Sequence, residues 1–237
     1  EHGSIKLHSG DIFGGAQPTG AVVSLAEVRV LTPTQPSKMV ALWNNFHALA
    51  AKLGNPEPPE PLYFLKGNNS FLAHGETIRV PASYSGKVVY EGELGVVIGR
   101  RCKAVAEADA PACIFGYTCI NDVTAAEILN KDATFAQWSR AKSFDTFGVF
   151  GPVIATGLDP SALVVKTILN EQERQSYPVA DMIFSPARLL SLISRDMTLE
   201  PGDVIACGTS VGVGSMKPGS KVSIVIEGIG ELSNRYE

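Results

Sequence analysis

Charged residues are scarce in this sequence. Asp, Glu, Lys and Arg make up 19% of its 237 residues, against roughly 25% in an average soluble domain. The formal net charge is −4 and the pI is near 5.6, which argues against nucleic-acid binding because that function needs a basic face. Hydrophobic residues still make up 45% of the chain, enough for a sizeable core, so disorder is excluded.

Long hydrophobic runs and paired cysteines are also missing. No run approaches the roughly 18 apolar residues of a membrane span, and the first ten residues lack the apolar centre of a signal peptide. The cysteines form no CxxC pair and have no His at zinc spacing. We therefore expect a cytoplasmic protein without membrane or nucleic-acid partners, whose cysteines are reduced and structural: Cys102, Cys113, Cys119 and Cys207.

Glycine and proline, in contrast, are abundant, with 23 Gly and 15 Pro. Turn signals such as residues 201–203 (PGD) precede short apolar runs, and residues 222–226 alternate between apolar and polar as a half-buried strand does. The pattern predicts a β-rich mixed α/β fold with a few short helices. Residues 1–37 are expected to form a small N-terminal segment, and residues 38–237 a single larger domain.

Cap residues and apolar spacing predict two of the helices. Ser37 and Gly54 bracket an apolar stripe at helical spacing, which predicts a helix over residues 38–53. Ser185, followed by a proline, predicts the start of a second helix that continues to Ile193. Further short helices are predicted over residues 104–113 and 122–130, and strands over residues 62–66, 88–98, 114–120 and 164–170.

The segment over residues 90–98 carries two acidic side chains in an otherwise apolar strand. Residues i and i+2 of a strand point the same way, so Glu91 and Glu93 share a face. Asp122 follows the next apolar run. Like charges at the end of a buried strand repel and lose hydration, which a bound cation would relieve. Oxygen ligands without Cys or His suit Mg²⁺ or Mn²⁺, with Ca²⁺ a further candidate; the alternative is a solvated face of an edge strand.

Two more polar segments interrupt apolar regions. In residues 140–148, Lys142 could bind a substrate carboxylate or stabilise an enolate, and the alternative is an ordinary surface loop. In residues 208–214 the glycine spacing is loosely that of a phosphate loop, but the lysine and the following helix are missing. We therefore interpret this second segment as an anion-binding or purely structural turn.

Taken together, these segments resemble the signature of the fumarylacetoacetate hydrolase family. The motifs are YEGELGVVIG at residues 90–99, GYT and ND within 116–122, AKSFDTF followed by GP within 141–152, and LxPGDVIxxGT at 199–209. Their order and separations also fit, and the resemblance covers roughly residues 38–237. It implies the β-sandwich or roll particular to this family, usually in a homodimer.

The resemblance also implies a metal site and a substrate class. It implies Mg²⁺ or Mn²⁺ held by Glu91, Glu93 and Asp122. The substrate would be a small 2-oxo acid with a second carbonyl or carboxylate group, such as an acylpyruvate or a 2-oxo-dienedioate from aromatic catabolism.

Four more residues are assigned roles by the resemblance. The family lysine corresponds to Lys142, which would orient the substrate or stabilise the enolate. The family GT element corresponds to Gly208 and Thr209, which would contact a substrate carboxylate. Lys66 matches the FLK element, where a substrate-binding role and a purely structural role are both open.

The sequence departs from the family pattern in two places. Many members carry NYxDHxxE, whose His and Glu activate water or withdraw a proton, but here Leu49 and Lys52 occupy those places. His47 lies two residues earlier, so either His47 acts as the base or the dyad is missing. Ala126 and Leu129 replace an arginine and a glutamine that bind substrate, which predicts a substrate end that is less polar or held differently.

The leading expectation is therefore a metal-dependent enzyme of 2-oxo acid catabolism that hydrolyses a C–C bond in an acylpyruvate-type substrate through a metal-bound enolate. The alternative reaction is isomerisation or decarboxylation of a 2-oxo-heptenedioate-like substrate, which needs only the metal, the enolate and a proton shuttle. An alternative of another class is a catalytically idle member that binds a small acid, which the lost dyad motivates.

Overall fold

The computed structural model describes residues 3–237, so the first two residues of the predicted N-terminal segment lie outside the described residues. Within that range the chain forms 17 strands and three α-helices, which confirms the predicted β-rich mixed α/β class. The helices are α1 (His47–Leu53), α2 (Trp138–Lys142) and α3 (Pro186–Asp196). The strands are β1 (Ser4–Ser9), β2 (Gln17–Ser24), β3 (Met39–Trp43), β4 (Leu62–Lys66), β5 (Phe71–Leu72), β6 (Thr77–Ile78), β7 (Val88–Tyr90), β8 (Gly92–Ile98), β9 (Ile114–Asp122), β10 (Thr124–Ala125), β11 (Gly148–Ala155), β12 (Val164–Leu169), β13 (Gln172–Pro178), β14 (Val204–Ala206), β15 (Gly214–Met216), β16 (Ser220–Ile226) and β17 (Gly230–Tyr236).

Two sheets form the body of the protein. One has seven strands in the order β4-β3-β14-β8-β9-β11-β5, and the other has five in the order β13-β12-β16-β17-β6. Strands β8, β9 and β11 of the first contact β12, β16 and β17 of the second, and the main apolar core includes residues of both sheets. A three-stranded sheet, β10-β7-β15, and the hairpin β1-β2 complete the fold.

The seven-stranded sheet has a second buried face, and this face carries acidic residues. Glu93 of β8 is opposite Ile120 of β9, which in turn is opposite Phe150 of β11. Residues directly opposite in neighbouring strands share a face. Ile120 and Phe150 belong to a smaller apolar cluster, separate from the main core. The carboxylate of Glu93 is therefore placed beside apolar side chains in the sheet interior.

The predicted helix over residues 38–53 is wrong in its first part. Residues 39–43 form β3, which lies between β4 and β14 and is buried on both faces. An apolar run such as MVALW satisfies helical spacing, but it satisfies a central strand equally well. The helix starts only at His47. Gly54 ends it with a left-handed backbone (φ 67°), as predicted.

Other sequence predictions had mixed outcomes. The strands over residues 62–66 and 114–120, the hairpin that begins at residue 164 and the helix capped by Ser185 are confirmed. The strand over 88–98 is interrupted at Glu91, which separates β7 from β8. The helix over 122–130 is wrong, since this segment forms β10 and a single 3₁₀ turn, and the helix over 104–113 is a 3₁₀ helix over Glu107–Cys113.

Two more sequence observations, on membrane spans and on cysteines, can be compared with the described residues. None of the described helices is long and apolar enough to cross a membrane. All four cysteines are buried and unbridged, as predicted.

Asp203 links the start of the domain to β14. Its side chain is fully buried. Oδ1 accepts hydrogen bonds from Ser37 Oγ (2.7 Å) and Lys38 N (3.1 Å), and Oδ2 accepts from Lys38 Nζ (2.5 Å) and Glu200 N (2.8 Å). Ser37 is therefore a partner of this carboxylate and does not cap a helix.

We predict that Asp203→Ala lowers the free energy of unfolding by about 3–5 kcal/mol, because it leaves an ammonium group and two backbone N–H groups without their acceptor. Urea denaturation followed by circular dichroism would measure this. Asp159→Ala is the control, since Asp159 is exposed and caps only a 3₁₀ turn, and it should lose far less. Equal losses in the two variants would contradict the structural role of Asp203.

Candidate metal centre

Three carboxylates meet where β7, β8 and β9 come together, and we call them the acidic triad: Glu91, Glu93 and Asp122. Glu91 separates β7 from β8, Glu93 is the second residue of β8, and Asp122 is the last residue of β9. The backbone N–H of Asp122 donates to the carbonyl oxygen of Glu91 at 2.9 Å. One ligand oxygen from each residue lies within 4.8 Å of the others, and all three residues are buried.

Two buried lysines contact the acidic triad. Lys142, at the end of α2, donates through Nζ to Glu91 Oε2 (2.8 Å) and to Asp122 Oδ2 (2.5 Å). Lys66, at the end of β4, donates to Asp122 Oδ1 (2.5 Å) and to the carbonyl oxygen of Lys142. The structure therefore brings Lys66 and Lys142, both predicted as site residues, into direct contact with the triad.

Glu93 is the triad member without a lysine partner. Its Oε2 accepts from the backbone N–H of Gly208 at 2.9 Å. Its Oε1 is buried and has no hydrogen-bond partner among residues 3–237. With all groups ionised, three carboxylates and two ammonium groups leave one negative charge uncompensated. Burial of an unpartnered carboxylate oxygen is costly.

These residues fit a divalent cation. A cation would supply the missing partner of Glu93 Oε1 and would neutralise the excess charge. A set of carboxylate oxygens without thiol or imidazole is the ligand chemistry of Mg²⁺ and Mn²⁺. The acidic triad would hold such an ion, and the choice between the two metals stays a prediction.

Burial and charge shift the pKa values of the cluster in different directions. Burial, together with the neighbouring Asp122 carboxylate, raises the pKa of Glu93 well above its usual range. Burial also opposes ionisation of Asp122, but the ammonium groups of Lys142 and Lys66 outweigh it and hold this pKa below its usual value. For Lys142, burial opposes the charge, and the carboxylates around it raise the pKa nonetheless. Glu93 is thus the member whose ionisation depends most on a cation.

The segment over residues 208–211, here called the 208–211 loop, is hydrogen-bonded to β8. Gly208 has a left-handed backbone (φ 90°) and donates its N–H to Glu93. Thr209 Oγ1 donates to the carbonyl oxygen of Gly92 at 2.9 Å. The predicted substrate residues Gly208 and Thr209 therefore adjoin the acidic triad, and their contact with a substrate stays a prediction.

Four side chains that support the cluster were missed in the sequence. Thr124 donates to Glu91 Oε1 at 2.8 Å. The other three lie in the five-stranded sheet: Gln175 accepts from the N–H of Gly92, Tyr177 donates to the carbonyl oxygen of Gly92, and Thr167 donates to Gln175. Their positions give little local signal, since all three are ordinary strand residues. Only the alternation within β13, which buries Gln175 and Tyr177 on one side, singles them out.

His47 lies outside the cluster. It is the first residue of α1, its side chain is about half exposed (48%), and its Nδ1 lies 2.5 Å from Glu57 Oε1. Two residues earlier, Asn45 Nδ2 donates to the carbonyl oxygen of Cys207 at 2.9 Å. The start of α1 is thus close in sequence to a residue bonded next to the 208–211 loop. No hydrogen bond joins His47 to the described residues of the acidic triad, and its catalytic role stays a prediction.

Comparison with known proteins gives family matches over most of the chain. A family model described as fumarylacetoacetate (FAA) hydrolase C-terminal matches residues 38–237. A second model, described as Rv2993c-like, N-terminal, matches residues 1–33.

Three named relatives carry different activities. Oxaloacetate tautomerase YisK of Bacillus subtilis (strain 168) is 36% identical, over 90% of this chain and 74% of that protein. The crystal structure of 2-hydroxyhepta-2,4-diene-1,7-dioate isomerase from Mycobacterium marinum matches with a TM-score of 0.90 and 40% identity, over 98% of this chain and 87% of that one. Maleylpyruvate hydrolase from Sphingobium sp. SYK-6, in complex with manganese(II) and pyruvate, matches with a TM-score of 0.77 and 32% identity, over 91% and 76%.

We predict that Glu93→Gln abolishes stabilisation by Mn²⁺. A ligand that binds the native state raises the melting temperature, so the chelator-treated wild-type protein should gain thermal stability when Mn²⁺ is added, and the variant should not. Without metal, the variant should melt no lower than the wild type, because an uncompensated buried charge is removed. Thermal denaturation with and without Mn²⁺ measures both effects.

The control for this experiment is Glu173→Gln, an exposed glutamate on β13 (side chain 53% exposed). This variant should respond to Mn²⁺ as the wild type does. If Glu93→Gln gained as much thermal stability from Mn²⁺ as the wild type, the acidic triad would not be the metal site.

Proposed function

The chain belongs to the fumarylacetoacetate hydrolase family, and we propose that it is a divalent-metal-dependent enzyme that transfers a proton on a 2-oxo acid, as isomerases and tautomerases do. The observation that carries this proposal is the buried cluster in which the acidic triad meets Lys142. Such a cluster brings together a cation site and a fixed positive charge. Enolisation of a 2-oxo acid places negative charge on the 2-oxo oxygen, which a cation and an ammonium group both stabilise.

The electrostatics of the cluster suit an anionic substrate. With a divalent cation added, three carboxylates and two ammonium groups carry one net positive charge. A 2-oxo acid is an anion at neutral pH, so the loaded site attracts it. The 208–211 loop adjoins Glu93 through the N–H of Gly208, and the backbone N–H of Thr209 would hold the substrate carboxylate.

The chemistry divides between the cation and the protein. A divalent ion would act as a Lewis acid and polarise the 2-oxo group of the substrate. The Lys142 ammonium, which lies beside two of the predicted metal ligands, would stabilise the negative charge that develops on oxygen when a water molecule takes a proton from the neighbouring carbon. Water would then return a proton to that oxygen, which completes the transfer. Its raised pKa keeps it protonated for this role at neutral pH.

Proton transfer now ranks ahead of hydrolysis, which the sequence had placed first. Hydrolysis of a C–C bond requires a base that activates water. His47, the residue considered for that base, is half exposed and bonded to Glu57. Leu49 and Lys52 cannot replace the family dyad.

Hydrolysis is the second candidate, and one observation favours it. The Glu57 carboxylate lies against Nδ1 of His47, an arrangement that orients a histidine and leaves Nε2 available as a base. In this version α1 would deliver His47 to the substrate. Decarboxylation, the idle acid-binding role and the homodimer stay predictions.

We predict that Lys142→Met slows proton transfer about 100-fold, the usual loss when a group that stabilises an oxyanion is removed. The assay is the Mg²⁺-dependent decay of enol-oxaloacetate absorbance, with 2-oxo-heptenedioate as a second substrate. Lys217→Met replaces an exposed lysine and should match the wild type. The proposal fails if the loaded wild type is no faster than the chelated protein with either substrate.

The two candidate reactions are separated by the His47–Glu57 pair. If the protein hydrolyses acylpyruvates, His47→Gln and Glu57→Gln should each lower pyruvate release from acetylpyruvate by about 100-fold or more, as expected for loss of a general base. If it only transfers protons, both variants should keep the oxaloacetate activity and the wild type should release no pyruvate. The exposed His8→Gln serves as the control for either reaction.

A further inference from the structure

Gln175 is a buried amide that bonds to both principal parts of the candidate site. It lies on β13 and is 1% exposed. Its Oε1 accepts from the backbone N–H of Gly92 at 3.0 Å and from Thr167 Oγ1 at 2.7 Å. Its Nε2 faces three oxygen atoms of the 208–211 loop: Thr209 Oγ1 at 2.9 Å, Ser210 O at 3.2 Å and Val211 O at 3.4 Å.

Gly92, which donates its N–H to Gln175 Oε1, is the residue between Glu91 and Glu93. Both of its backbone polar groups are bound by side chains from outside its own sheet. The N–H donates to Gln175, and the carbonyl oxygen accepts from Thr209 and from Tyr177. The two sheets pack so closely at this point that a Cβ at position 92 would lie 2.1 Å from Thr167 Oγ1. Side chains of the five-stranded sheet therefore contact β8 at Gly92, the residue between the two glutamates.

We propose that Gln175 is a positioning residue that keeps the 208–211 loop at a fixed distance from β8, so that the loop and the cation contact the same substrate molecule. This inference rests on the proposed function, in which the loop binds the substrate carboxylate. An amide suits the position because it donates and accepts at once. A carboxylate would lack the donor, an ammonium would lack the acceptor, and either would add a charge beside the acidic triad.

The contacts indicate which property depends on Gln175. The triad side chains are held by Thr124, Lys142, Lys66 and the N–H of Gly208, not by Gln175. The two N–H donors of its Nε2, in contrast, face three oxygen atoms of the loop beyond Gly208. Loss of this donor should therefore weaken binding of the substrate and leave binding of the metal nearly unchanged.

The test uses Gln175→Glu, which keeps the acceptor and removes the donor. Binding of Mn²⁺ to the chelator-treated protein, and of oxalate to the Mn²⁺-loaded protein, is measured by titration calorimetry. We expect oxalate to bind at least about tenfold more weakly, as for the loss of hydrogen bonds worth about 1.4 kcal/mol. Affinity for Mn²⁺ should not fall, because the added carboxylate lies beside a cation site, and the uncharged Gln175→Met should weaken oxalate binding to a similar extent. In turnover KM should rise more than kcat falls.

Asn234→Asp is the matched control. Asn234 is also a buried amide, on β17 of the same sheet, and its Nδ2 donates to the carbonyl oxygens of Ala73 and Glu76, both at 2.8 Å. The variant makes the same chemical change without a link to the 208–211 loop. It should lower the melting temperature while oxalate affinity stays at the wild-type level.

Several results would overturn the inference. One is a Gln175→Glu protein that melts at a lower temperature, as the control does, but binds oxalate normally; another is loss of Mn²⁺ binding in parallel with oxalate binding. Failure of the Mn²⁺-loaded wild type to bind oxalate would also overturn it. If the wild type binds oxalate but turns over no 2-oxo acid, only the proposed reaction fails. If Gln175→Glu does not fold, Gln175→Met is judged by the same comparison.

Discussion

The burial of three like charges is the constraint on which the rest of the site depends. Carboxylates placed at the ends of apolar strands lose hydration and repel one another. Two buried ammonium groups, one threonine hydroxyl and one backbone N–H donate hydrogen bonds to these carboxylates and offset part of that cost. Among residues 3–237, these contacts still leave one oxygen of Glu93 without a partner. A site that is incomplete in this way is adapted to a cation, because a cation provides the one interaction that the protein itself does not.

The fold meets this constraint by bringing distant segments to one place. Antiparallel pairing sets β8 beside β9, which places Asp122 next to the glutamates, and the interruption at Glu91 frees that side chain from the regular ladder. Lys142 arrives from α2, with its Nζ 5.3 Å from the centroid of the Phe64 ring. A cation over an aromatic face is stabilised further when it is shielded from water. Positive charge is therefore held in place from several elements, and no single strand carries the site.

The sequence could predict those parts of the site that depend on neighbouring residues in the chain, and not those that depend on contacts between distant segments. Glu91 and Glu93 were found because the alternation of a strand is local, and Asp122 because it ends the next apolar run. Gln175 was missed because its partners are Gly92 and the 208–211 loop, both far from it in the chain. The alternation within β13 places Gln175 on the buried side of the strand, but no local pattern shows which distant residues it contacts. The fold class was likewise predictable from composition and turns, whereas strand order was not.

The error over residues 38–53 has a functional consequence. Had this segment been one helix, His47 would lie in its middle, at the edge of a packed apolar stripe. Because residues 39–43 are instead a central strand, α1 begins at His47, and the ring stands at the start of a seven-residue helix in contact with Glu57. An imidazole in that position is exposed and oriented by a carboxylate, yet it does not contact the acidic triad. In the proposed function, the buried cluster would stabilise the enolate and solvent would accept the proton. Hydrolysis would in addition need a base on the other side of the substrate, and His47 at the start of α1 is the candidate that we propose for it.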